Sequence, residues 1–114
     1  MMLLALITAP IVATSCTGGV TSIELTEHAS YEATFRNSSA VAADEIRVVI
    51  PYGRRRLATF DVKQAFPANA ATSVHLHKNL AGGLYAYETD RNDCRVQYVH
   101  FVDGTSWSAP DTKT

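Results

Sequence analysis

An antiparallel β-sandwich of about seven strands is what this sequence predicts, and three observations carry that prediction. Apolar and polar residues alternate with period two along most of the chain. Turn-forming residues interrupt the alternation about every 8 to 12 positions. Outside the apolar amino-terminal run, no stretch has the 3.6-residue spacing of an amphipathic helix.

The chain opens on Met1-Met2-Leu3-Leu4-Ala5-Leu6-Ile7, and its first charged side chain is Glu24. This start reads as an export leader or its remnant, although the cationic beginning of secretory leaders is missing. Cleavage is expected after Ala9, or in the alternative after Ser15, which would make Cys16 the first residue and open it to lipidation. Ala13 stands where bacterial lipoproteins carry a larger aliphatic residue. A transmembrane helix needs about 20 apolar residues. Pro10, Thr14 and Ser15 interrupt this shorter run, so no membrane span is expected. The expected organisation is a leader over 1–9 (to 15 in the alternative), one domain over 10–110 and a tail over 111–114.

Tyr31, Ala33 and Phe35 alternate with Glu32, Thr34 and Arg36, which gives a strand with one apolar face. After the turn Asn37-Ser38-Ser39, the positions Ile46, Val48, Ile50 and Tyr52 alternate with Glu45, Arg47 and Val49, and Pro51 and Gly53 end the run. Ala58, Phe60 and Val62 make a third strand. The stretch Ala65 to Ala70 reads as a connection, and Val74 and Leu76 against Ser73, His75 and His77 read as another strand. The region Leu84 to Thr89 is ambiguous, and Asp90 to Asp93 reads as a polar turn.

The last hairpin is the most explicit. Asp103-Gly104 between two strand runs favours a two-residue loop, which would set Val102 opposite Thr105, Phe101 opposite Ser106 and His100 opposite Trp107. Upstream, Cys94 and Val96 have one parity, and Val99 and Phe101 have the other. Burying both sets requires a β-bulge between Gln97 and Val99.

At 114 residues the chain holds one domain, and a hydrophobic fraction of 46% suffices for a modest core. A net charge of −1 gives no long-range field, so no nucleic-acid partner is expected. The cluster Arg54-Arg55-Arg56 follows a turn and reads as solvated. Cys16 and Cys94 are the only cysteines. An oxidising compartment would join them, and closing a loop of about 80 residues would stabilise by roughly 4 kcal/mol. A lipidated Cys16 with a free Cys94 is the competing arrangement.

Three constellations are candidate sites. Tyr98, His100 and Trp107 share one face under the register above and could stack on a glycan or anchor a protein, whereas a Trp107 that closes the core is the plainer reading. His75 and His77 project from one face and could share a metal ion, but the sequence places no third ligand beside them. Asn37-Ser38-Ser39 matches a glycosylation acceptor, which matters only in a eukaryotic secretory host, and the compact leader argues against one. No nucleophile, base and acid fall into a catalytic signature, so no enzymatic activity and no cofactor are expected.

Four segments together resemble small exported bacterial β-sandwich proteins of the immunoglobulin-like kind, whose function is unknown. They are Pro10 to Cys16, Phe35 to Ser39, Val49 to Gly53, and the closing Cys94-x-Val96-x-x-Val99-x-Phe101-x-Asp103-Gly104-Thr105-x-Trp107. The resemblance implies that Ile11 to Cys16 form the first strand, that the leader ends near Ala9 and that Cys16 pairs with Cys94. It brings no catalytic residues. The functional expectation is a secreted or periplasmic, non-enzymatic binding or structural module with an unidentified protein or glycan partner. A lipid-anchored envelope protein and a small metal-binding protein are the alternatives.

Overall fold

A computed structural model of the chain describes residues 9–23, 26–52, 56–80 and 93–110. The leader through residue 8, Arg54 and Arg55, the ambiguous stretch 84–89 and the tail lie outside the described residues. Among the described residues seven strands form: β1 (Ile11–Ile23), β2 (Thr26–Asn37), β3 (Ala43–Tyr52), β4 (Arg56–Val62), β5 (Ala70–Leu80), β6 (Arg95–Phe101) and β7 (Ser106–Ser108). They make two antiparallel sheets, ordered β1-β2-β5 and β4-β3-β6-β7. Among the described residues there is no helix.

The pleat sorts side chains by parity, so each strand's apolar set faces the other sheet. On β2 the odd positions Ala29, Tyr31, Ala33, Phe35 and Asn37 are buried, and on β3 Ile46, Val48 and Ile50 are fully buried. Tyr31 meets Phe60 edge to face, with ring centroids 6.2 Å apart and planes at 78°. Burying each such large side chain contributes about 1.5–3 kcal/mol.

Three bulges adjust the parity. Thr14 is the extra residue in β1 opposite β2, Asp44 in β3 and Gln97 in β6. The bulge expected between Gln97 and Val99 is therefore present, and Val96, Val99 and Phe101 are all buried. Thr14 does the same for β1: Ile11 and Ala13 precede it, Cys16 and Val20 follow it, and all four face inward.

The connection expected from Ala65 to Ala70 also contributes to the core. Phe66 is 1% exposed, exchanges backbone hydrogen bonds with Ala43 and packs edge to face on Phe35 at 6.3 Å between centroids. Asn37 organises this end. Its Nδ2 donates to the carbonyls of Val41 and Phe66, both at 3.0 Å, and its Oδ1 accepts from the Ser39 amide at 2.9 Å. With both amide protons used and the residue 1% exposed, Asn37 cannot carry a glycan in this fold.

Cys16 and Cys94 form a disulfide, with Cα atoms 6.1 Å apart. It joins β1 of the three-stranded sheet to the start of β6 in the four-stranded sheet.

Candidate functional site

The closing hairpin differs from the expected two-residue loop. Gly104 alone has a positive φ, 92°, whereas the expected turn needs two such residues. The Asp103 carboxylate accepts from the Thr105 amide at 3.0 Å and from its hydroxyl at 2.6 Å. These bonds favour a three-residue loop, Val102 to Gly104, closed by the Phe101 amide donating to the Thr105 carbonyl at 2.9 Å. The bonds from Thr105, its hydroxyl first, hold the Asp103 carboxyl below the usual carboxylate range.

Lengthening the loop by one shifts the register by one and exchanges faces. His100 lies opposite Ser106, and Trp107 lies opposite Val99. The expected trio is therefore split. Trp107 is half-buried and packs against the core, with its Nε1 finding no hydrogen-bond partner among the described residues, while Tyr98 and His100 are on the outer face.

On that outer face the side chains already have partners. The Arg47 guanidinium lies 5.6 Å from the centre of the Tyr98 ring, and its Nε donates to Asp61 at 2.8 Å. That hydrogen bond, and then the Asp61 charge, raise the Arg47 pKa above its ordinary value. The His100 Nδ1 lies 2.7 Å from the carboxylate of Asp44, the bulge residue. The result is a mixed-charge surface of ordinary composition.

The outer face of the three-stranded sheet is different. His75 and His77 are exposed on the face opposite the buried Val74 and Leu76, as the alternation requires. Antiparallel pairing sets Glu32 of β2 opposite His75 and Ser30 opposite His77. His75 Nδ1 contacts the Glu32 carboxylate. The His75 and His77 rings are 6.2 Å apart with planes at 13°, and His28, diagonal to His77, is 6.4 Å from it at 29°. Sequence periodicity does put His28, Ser30 and Glu32 on one face of β2. The pairing that brings them beside β5 joins residues more than forty positions apart, Glu32 and His75 by 43, and has no local signature.

Beside this face, an open cleft of about 340 Å³ runs between the edges of β4 and β5, with Thr59, Asp61, Lys63, His77 and Lys78 on its walls. Lys78 crosses it, donating to the Thr59 carbonyl and lying 5.8 Å from the centre of the Phe60 ring. Neither cysteine is free, so neither supplies a thiolate nucleophile. Among the described residues, no helix is long and apolar enough to cross a membrane. Comparison with protein-family models, curated proteins and solved structures finds no match.

Proposed function

We propose that this chain is an exported, non-enzymatic module of the cell envelope or exterior, an immunoglobulin-like β-sandwich that binds a partner or serves a structural role. The observation that carries this reading is the disulfide between Cys16 and Cys94. Such bonds persist in oxidising compartments and are rare where thiol reductants are abundant. The amino-terminal apolar run fits a leader that delivers the domain to such a place. The division of the strands between the sheets supports the immunoglobulin-like reading: β2 and β3, β4 and β5, and β5 and β6 lie in different sheets, with β4 beside β3 rather than beside β5.

Lipid anchoring through Cys16 fits less well. Acylation would consume the sulfur bonded to Cys94, and cleavage after Ser15 would remove the buried Ile11 and the bond from the Ser38 amide to the Pro10 carbonyl at 2.9 Å. The test is to express the full chain in a bacterium, fractionate the cells and weigh the intact product. The expected product is periplasmic or secreted and two hydrogens lighter than its reduced form. A cytoplasmic product with two reactive thiols would refute export, and an acylated product would establish the anchor instead.

A further inference from the structure

On the outer face of the three-stranded sheet, Glu32, His75 and His77 lie close together. The row formed by Thr17, Glu32 and His75 crosses all three strands, and the next row holds Gly19, Ser30 and His77. Two imidazoles that share one tetrahedral ion at about 2.0–2.1 Å have ring centres roughly 5 Å apart. The His75 and His77 rings, 6.2 Å apart and nearly parallel, stand about 1 Å wider than that. The third donor is already against one of them, since Glu32 contacts His75. As the side chains stand, no three His, Cys, Asp or Glu among the described residues converge on one point. The His75 and Glu32 side chains are 55% and 70% exposed, so rotation about their χ angles meets little packing.

We propose that His75, His77 and Glu32 bind a divalent cation of borderline softness, Zn²⁺ in preference to Mg²⁺ or Ca²⁺. Two neutral imidazole nitrogens and one carboxylate oxygen are a zinc donor set, with a water in the fourth position, whereas Mg²⁺ and Ca²⁺ seek oxygen donors. His28 is not a ligand of this ion. It pairs with Asn79, two rows from His75, which separates the two histidines by about 13 Å along the strands. The site deepens the binding-module reading by naming a ligand, and it stands or falls separately from export.

The test is calorimetric titration of the purified, disulfide-bonded full chain with Zn²⁺, alongside Mg²⁺ and Ca²⁺. One Zn²⁺ per chain is expected, with no uptake of the other two. His75→Ala and His77→Ala should each weaken binding at least about a hundredfold, and Glu32→Gln about tenfold, since even residues that only orient ligands cost 10–100-fold. His28→Ala should leave affinity within about twofold. In the unaltered protein, Zn²⁺ should shift the ring-nitrogen resonances of His75 and His77 and the carboxyl resonance of Glu32, a readout that needs no variant. Absence of saturable Zn²⁺ uptake, an unshifted Glu32 with full affinity in Glu32→Gln, or a loss in His28→Ala as large as in His75→Ala would overturn the assignment.

Discussion

Replacing Asn37 tests whether one buried amide holds the end of the sandwich together. Asn37→Ala removes the two bonds from Nδ2 to the Val41 and Phe66 carbonyls, 3.0 Å each, and the 2.9 Å bond from the Ser39 amide. The Phe66 carbonyl keeps its bond from the Ala43 amide at 3.0 Å, but Ser39 N–H and Val41 C=O lose the partner that Asn37 supplied. At about 1 kcal/mol per bond, the expected loss is about 3 kcal/mol. Asn37→Asp is nearly isosteric and more informative. It keeps an acceptor for Ser39 but sets an anionic oxygen against two carbonyls, so at neutral pH it should cost at least as much as Asn37→Ala. Part of that loss should return on acidification, because a protonated carboxyl can donate one of the missing bonds. Urea denaturation of the oxidised protein, followed by emission of the single tryptophan, Trp107, measures both. A loss below about 1 kcal/mol for Asn37→Ala, or an Asn37→Asp variant as stable as the parent at neutral pH, would refute the reasoning.

Three further outcomes are expected. Reducing Cys16–Cys94 should cost about 4 kcal/mol, from the entropy that its long loop regains in the unfolded chain, and urea midpoints with and without dithiothreitol should show it; a shift under about 1 kcal/mol would contradict that account. Gly18→Ala should destabilise by about 3 kcal/mol or more, because φ is 150° and a Cβ would lie 2.1 Å from the Ser30 carbonyl oxygen and 2.7 Å from the Tyr31 Cα. Gly19→Ala, where a Cβ meets nothing within 4 Å, should be nearly neutral, and equal losses for the pair would remove the steric explanation. The Asp103 carboxyl is depressed in the folded chain by its bonds from Thr105. Its contribution is therefore fully present above the ordinary carboxylate pKa and is lost as pH falls through the lowered one. Carboxyl NMR titration should place Asp103 below the usual range and Thr105→Val should move it back up; an unmoved midpoint would assign the depression to another cause.

Alternation fixes which face of a strand is apolar, and so the inward sets of β2, β3, β4 and β5 were legible in the sequence. The parity break between Val96 and Val99 was legible too, because two buried sets of opposite parity need an extra residue between them. The hairpin register was not. Whether Asp103-Gly104 closes a two- or three-residue loop depends on the bond that the Asp103 carboxylate makes to Thr105, and one residue of loop decides which face Trp107 takes. The burial of Phe66 was not legible for a related reason: a lone aromatic in the connection between Ala65 and Pro67 has no periodicity, so its packing against Phe35 is purely tertiary. The histidine face was half-visible, since His75 and His77 declare their shared side by spacing, whereas Glu32 joins them only through pairing of β2 with β5.

The two cysteines meet because of two added residues rather than because of their own positions. In β1, Ile11 and Ala13 set a parity that would leave Cys16 facing outward, and Thr14 corrects it; in β6, Val99 and Phe101 set a parity that would leave Cys94 facing outward, and Gln97 corrects it. Deleting Gln97 should therefore turn Cys94 and Val96 to the outside while Val99 and Phe101 keep their places. The bridge would be lost, worth about 4 kcal/mol, along with the burial of Val96, about 1.5–3 kcal/mol. Gln97→Ala keeps the added residue and the bond from the Ala109 amide to its carbonyl, 2.9 Å, and should leave the bridge formed. Thiol labelling under native conditions separates the two, with no reactive thiol in the parent or Gln97→Ala and two in the deletion. A deletion variant that kept both thiols protected would mean that the strand can re-register around the disulfide, and that the sulfur bond, not the bulge, sets the parity of β6.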